Sequence, residues 1–474
     1  MNHFSSTASC AALLLMATGA LCGACSDSDQ ELGHISEDGG ADDSGSASLP
    51  EAGGGASIPD AGAFSGEVTC KVTPCVTALA AKGGSHICAL LADKTVRCWG
   101  NNSSGQLGAE TPGDDASVPA DAGDAGAAGP YSGKPVRVAN VENAVQISVA
   151  GSSGGTSCAR SDDGSVWCWG SNSDGQLGLD AEQAVADAVP HPTASRVQGL
   201  PAATRVDLGS GFGCAVGTLG LDGFDGGSMY CWGENAALQL GRGHLPKQHG
   251  VVGPVSLRFR RVVAGAGAMR VAFAIRDNGQ ALSWGSASWD ARGIGGVLNR
   301  DPLGRESPIS PDGDPLEIPG LENVTSLVAG DEHACALAGG DVYCWGVNKT
   351  GAVGNSSRED VFAPYHVTVL GAGRLETVAA SNTTTCVTNW EGKAYCWGDN
   401  TSGQLGGGDA AVVFEPVQVR NLSARVVQLA PMDQTTCALL EDGSVTCWGS
   451  NARGQLGIGS RDDLPHYEPH SVTF

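Results

Sequence analysis

Cysteine is the residue type whose spacing carries chemistry in this chain. Of its 17 cysteines, twelve stand as six near pairs: Cys88 with Cys98, Cys158 with Cys168, Cys214 with Cys231, Cys335 with Cys344, Cys386 with Cys396 and Cys437 with Cys447. Around the last pair the chain reads as a hairpin with its own staple. A three-residue loop, Glu441-Asp442-Gly443, sets Leu439 opposite Val445 and Cys437 opposite Cys447. Gly443 stands where such loops need positive φ. Directly opposed residues of a non-hydrogen-bonded antiparallel pair have Cα atoms about 4.5 Å apart, at the short end of the disulfide range. The fifth pair is one residue closer, and its loop shrinks to the two-residue turn Gly339-Gly340. A fourth copy of the hairpin has Phe273 and Ser283 in the two places, around Asp277-Asn278-Gly279. Both partners vanish together, as expected if they bond to each other. Small buried thiols are the alternative, and zinc lacks its CxxC knuckle. Cys70 and Cys75 are left over and can pair with each other. An even set in hairpin register implies an oxidising compartment.

The other chemical candidates have plainer readings. His86 and His333 lie two residues before a cysteine, where other copies carry Thr156, Thr384 and Thr435, so a structural role is expected. Asp163 and Asp442 precede glycine and suit turns. Asp114-Asp115 and Asp121 lack EF-hand spacing. Gly209-Ser210-Gly211-Phe212-Gly213 is a strand-end turn without the helix a phosphate cradle needs. No catalytic residue, metal or cofactor is assigned.

The elements that position these residues repeat seven times. Trp99, Trp169, Trp232, Trp284, Trp345, Trp397 and Trp448 are each followed by Gly, at intervals of 51 to 70 residues. Such a period means a solenoid, a propeller or an array. β-Branched stretches such as Val145-Gln146-Ile147-Ser148-Val149 and Val426-Val427-Gln428-Leu429 precede the hairpins and suit strands. Each unit thus holds about four short strands, the content of one propeller blade. After Trp-Gly, a turn leads to Gly-Gln-Leu-Gly at 105–108, 175–178, 403–406 and 454–457; the third and fifth copies have Leu238-Gln239-Leu240-Gly241 and Gly351-Ala352-Val353-Gly354, and the fourth is degenerate around Ala291-Arg292-Gly293. Trp-Gly is read as packing between blades. Insertions fall at 110–132, 217–228, 244–254 and 298–319. Glu468 to Phe474 is expected to complete the blade begun by Val76 to Cys88.

The chain of 474 residues carries 27 basic and 51 acidic residues, a formal charge of −24, which argues against nucleic acid as a partner. Residues 1–25 hold an apolar run, Ala11 to Leu21, too short to span a membrane, and read as a signal peptide. Leu21-Cys22-Gly23-Ala24-Cys25 resembles the lipobox of bacterial lipoproteins, which implies lipidation of Cys25; Cys22 departs from the usual leucine, and no Lys or Arg precedes the run. Residues 26–67 contain ten acidic and no basic residues and read as a disordered acidic tether. The array occupies 68–474.

With C-A-L-x-x-D-G-x-V-x-C-W-G-x-N-x-x-G-Q-L-G in view, residues 68–474 resemble the regulator of chromosome condensation (RCC1) repeats, in particular their cysteine-paired bacterial branch. That resemblance implies an all-β, seven-bladed β-propeller. The family's founder exchanges nucleotide on a nuclear GTPase and binds chromatin, partners that an exported acidic chain would not meet. Secreted bacterial β-lactamase inhibitors that resemble this propeller and bind an enzyme with one face are the nearer analogy. The expected function is therefore non-enzymatic: a protein-binding propeller, monomeric, touching membrane only through a lipid anchor at the cell envelope, or else secreted. The alternatives are a carbohydrate-active propeller enzyme, lyase or hydrolase, and an exchange factor for a small GTPase.

Overall fold

The hairpins form as their spacing demands. In the computed structural model, which describes residues 66–109, 130–151, 154–218, 227–243, 249–257, 261–286, 303–307, 309–408 and 410–474, Cys437 faces Cys447 and Leu439 faces Val445. Gly443 has φ +86°, and its N–H closes the loop onto Leu440 O at 2.9 Å. In the shortened fifth copy Gly339 and Gly340 both have positive φ, +64° and +96°.

Every expected cysteine pair is bonded. Cys88 is joined to Cys98, Cys158 to Cys168, and Cys214 to Cys231. Cys335 is joined to Cys344, Cys386 to Cys396, and Cys437 to Cys447. All six bridges hold their Cα atoms 4.1 Å apart, so the closely opposed register recurs even where the loop is one residue shorter or seven longer. Cys70 is bonded to Cys75, a pairing that the sequence allowed and left open. In the fourth copy Phe273 lies opposite Ser283 in the same register. The leader, Cys25, residues 26–65 of the tether, and the acidic triplet Asp114, Asp115 and Asp121 lie outside the described residues.

Among the described residues, twenty-eight strands form seven antiparallel sheets of four consecutive strands each, the blades of a propeller. Blades one to seven span 76–137, 144–196, 203–254, 262–317, 324–367, 375–418 and 426–471. The innermost strand of each blade lines the axis: Val76–Ala80, Ala144–Ala150, Ala203–Gly209, Val262–Gly267, Val324–Ala329, Leu375–Ala380 and Val426–Pro431. The outermost strands are less buried than the inner ones, and every one contains proline: Pro135, Pro190, Pro254, Pro315, Pro364, Pro416 and Pro465.

Blades join through the tryptophans. All seven are 0% exposed. In six blades the indole N–H donates to a carbonyl in the Gly-Gln-Leu-Gly turn of the preceding blade or its variant there: Trp169 to Gln106, Trp232 to Gln176, Trp284 to Gln239, Trp397 to Ala352, Trp448 to Gln404 and Trp99 to Gln455, at 2.8–3.0 Å. The glycine after each tryptophan is obligatory. Its φ is +98° to +121°, and a Cβ there would meet a backbone oxygen at 2.2–2.5 Å, as at Gly100 against Ser85 O.

Two expectations are corrected. The last strand, Asp462–Ser471, pairs with Val445–Asn451 of its own blade, not with blade one. The fourth place in blade one is already filled by Tyr131–Arg137, so no vacancy exists. The ring closes by side chains instead: Trp99 on Gln455, Phe474 edge-on to Trp99 at 5.8 Å, and the Gln428 amide on both backbone groups of Leu79 at 2.9 and 2.7 Å. Thr69 N–H to Glu441 O, at 2.7 Å, adds the start of the array to the same seam. The second correction concerns the degenerate fourth copy. Residues 291–293 lie outside the described residues, and the turn's role falls to Leu303-Gly304. Leu303 is 1% exposed, and Gly304 stands against Trp345 Nε1, 2.9 Å from where its Cβ would be. Part of what reads as insertion is thus the motif itself and the strand after it, Asp312–Glu317.

Blade four replaces its missing clip with a buried ion pair. Arg305 Nη2 donates to Asp312 Oδ2 at 3.0 Å and to Ser283 O at 3.1 Å, with both charged side chains 4% exposed. Removing one partner of a buried pair leaves the other charge uncompensated. Asp312→Ala should therefore cost about 3 kcal/mol in chemical denaturation; a loss below about 1 kcal/mol would show the pair to be dispensable.

Candidate interaction face

Each innermost strand ends at the same side of the ring as the third strand of its blade, because neighbouring strands are antiparallel. The third strands of blades one, three and four, Val96–Asn101, Met229–Glu234 and Ala281–Gly285, therefore end on that one side. In the strand order three of the four expected insertions follow a third strand, and the fourth, 217–228, falls between the second and third strands of blade three.

Inside the ring, the innermost strands enclose a cavity of about 400 Å³ lined mainly by small and aliphatic side chains. Side-chain amides stitch neighbouring strands across it: Gln146 bonds both backbone groups of Val206 at 2.9 and 3.0 Å, as Gln428 does for Leu79. At the loop-face mouth Lys82 reaches across the axis from blade one. Its ammonium donates to Leu208 O at 3.1 Å and to Gly267 O. Burial brings Lys82 down to about 8, against the opposing pull of Asp331 and Asp207. Ser210 donates to Asp331 at 2.6 Å, Asp331 N–H donates to Asn382, and Gly84 N–H donates to Asp433 Oδ2 at 3.0 Å. Burial is the main cause raising the Asp433 carboxyl, with Asp331 adding to it. Six blades thus contribute to one polar plug. No local pattern in the chain announces it, because its residues belong to different copies.

A second group lies between blades two and three. Glu234 is pushed up to about 7, first by burial and then by Asp174, with Arg270 opposing. Gly211 fits beneath them because a Cβ would stand 3.0 Å from Glu234 Oε2 and 3.1 Å from Asp174 Oδ2. Glu332 is raised as well, by burial and then by Asp331 and Asp360. The face therefore holds carboxyls in mutual repulsion.

Of the residues weighed from sequence Ser210 belongs to this mouth, whereas the histidines and the turn aspartates lie away from it. His86 and His333 are buried between blades, their Nε2 atoms 2.9 Å from Ser157 Oγ and 2.8 Å from Thr385 Oγ1. Each hydroxyl donates onward to a carbonyl of the blade before its own, Ser157 to Gln106 O and Thr385 to Ala352 O. Asp163 and Asp442 accept from the N–H groups of Ser165 and Ser444, as turn residues do. Gly211, with φ +82°, turns the chain between two strands.

Burial lowers both histidines to about 4 from an ordinary value of 6.5. A lowered pKa means that the unfolded chain binds the proton first. Their contribution is present above pH 6.5 and is lost as pH falls towards 4. Glu234 works in the opposite sense, so a difference between variants isolates the histidines. Replacing both by threonine, the residue of three other copies, should flatten the fall of Tm between pH 6.5 and 4. A parent and variant with parallel Tm profiles would refute this.

Models of the regulator of chromosome condensation (RCC1) repeat match residues 76–106, 145–176, 376–404 and 433–455 in one form and 163–216, 339–388 and 391–439 in another. The human E3 ubiquitin-protein ligase HERC2 is 30% identical over 310 residues, 64% of this chain but 6% of the ligase. The ultraviolet-B receptor UVR8 of Arabidopsis thaliana is 28% identical over 327 residues, 66% of each chain. The chain thus spans only part of the relatives it matches. Among solved structures, yeast RCC1 (Prp20) in complex with Kap60 superposes with a TM-score of 0.63 at 17% identity, covering 84% of this chain and 85% of that one. Human WBSCR16 gives 0.63 at 21% identity, covering 80% and 95%. Seven blades built on one repeated turn, and matches that run through both ends of the array, place this chain in the family of RCC1-repeat proteins.

Proposed function

We propose that this chain is a non-enzymatic, protein-binding propeller held at the bacterial cell envelope, with its partner bound on the loop face. One observation carries the reading. The long connections of blades one, three and four leave from the side where repelling carboxyls surround a plugged mouth. Ionisable groups of the plug are bonded to the protein itself, which leaves recognition to the loops. Frustrated charge on a rim suits a partner that neutralises it. The solved relative bound to Kap60 engages another protein, in keeping with this reading.

One observation favours a different class. A carboxyl that titrates near neutrality beside a second carboxylate, as with Glu234 and Asp174, is what a glycoside-cleaving acid requires. Turnover of a polysaccharide that Glu234→Gln abolishes would establish that rival. Exchange on a small GTPase has no such feature in its favour.

The binding reading is tested by loop exchange. Replacing residues 110–129 and 244–248 with Gly-Ser linkers of equal length should abolish capture of the partner from envelope extracts. Capture unaffected by both exchanges would sink the loop-face assignment. The anchor has its own test: Cys25→Ser should eliminate incorporation of labelled fatty acid in cells, and unchanged labelling would remove it.

A further inference from the structure

Along each third strand, the residue two before the tryptophan shares its face with the indole, and a cross-strand neighbour on the outermost strand stands directly opposite. In blades two to seven Trp167 faces Arg196, Tyr230 faces Pro254, Leu282 faces Glu317, Tyr343 faces His366, Tyr395 faces Gln418 and Thr446 faces Ser471. Several pack into the seam, as Trp167 does between blades one and two and Tyr343 between blades four and five. Blade one departs from all of them: Arg97 stands opposite Arg137. The repeat therefore does not require cations there.

Two like charges placed directly opposite each other are destabilising. Among the described residues Asp93 offsets part of that cost through space, without a direct contact to either arginine. Among the described residues neither guanidinium has an ion-pair or hydrogen-bond partner, and Arg97 Nε is shut off from solvent without an acceptor. Asp93 feels both arginines, but its Oδ1 is already taken by the backbone N–H and hydroxyl of Thr95 at 3.0 and 2.6 Å, which are the larger causes lowering its carboxyl. A shielded, unpaired donor on a charged group calls for a missing counter-group. We infer that Arg97 and Arg137 form an oxyanion-binding site on the side of blade one that faces blade seven. Two planar forks carried on directly opposed residues can meet the paired oxygens of phosphate or carboxylate. The site is separate from the loop face, so its failure would leave the proposed function standing.

The test uses the full chain, titrated calorimetrically with inorganic phosphate and separately with hexaglutamate, at an ionic strength fixed with chloride. Saturable phosphate binding is expected, made about tenfold weaker by Arg97→Gln and by Arg137→Gln. Hexaglutamate that binds and is displaced by phosphate identifies protein carboxylates as the source; phosphate binding alone identifies free phosphate. Arg137 is exposed, so its variant keeps the question open to refutation should Arg97→Gln fold poorly. No saturable binding, or equal binding by parent and both variants (an adventitious ion only), would overturn the site.

Discussion

Everything in this ring depends on one contact, the tryptophan of each blade seated on the Gly-Gln-Leu-Gly turn of the blade before it. Two contributions differ in size. Burying an indole removes roughly 200 Å² from water, on the order of 5 kcal/mol at 25 cal/mol/Å². The N–H donation to a carbonyl is worth about 1 kcal/mol net. Packing therefore supplies the energy, and the hydrogen bond fixes the angle at which blades meet. Both need closeness, which explains the glycines on either side: one lets the third strand pass its neighbour's carbonyl, the other lets the indole lie flat on the turn.

Covalent clips are secondary to this packing. Each repeat disulfide closes a loop of 9 to 17 residues, worth about 2–3 kcal/mol in the chain-entropy description. Blade four shows that a clip can be replaced. Phe273 fills the space of one cysteine and meets Trp345 edge-on at 6.2 Å, while Arg305 ties Ser283 to Asp312. A hydrophobic contact and a buried ion pair there take the place of one bond. At the seam with blade five Trp345 is still fully buried and still stands against a turn glycine, Gly304.

Local chemistry is legible in the sequence, and contacts across the ring are not. The hairpins, their turn types, the blade count and the structural part played by His86 and His333 follow from residues a few positions apart, where spacing and turn preference decide. The outermost strands are hard to read because they are only partly buried and broken by proline, which removes the alternation that marks a strand. Leu303-Gly304 escapes notice because the chain before it is long enough to hide the motif. Lys82, Asp331 and Asp433 cannot be grouped from sequence at all, since they sit in three separate copies and meet only when the ring is closed. Closure itself differs from expectation for a related reason: side-chain packing and a few backbone hydrogen bonds such as Thr69 to Glu441 join the end blades without shared strand pairing.

The prolines on the rim have a consequence of their own. A sheet's last strand normally offers free amides to any passing chain, and in a seven-bladed wheel that hazard arises seven times. Each rim strand here has lost at least one such donor. Molecules crowded side by side would slide past one another without zipping into fibres.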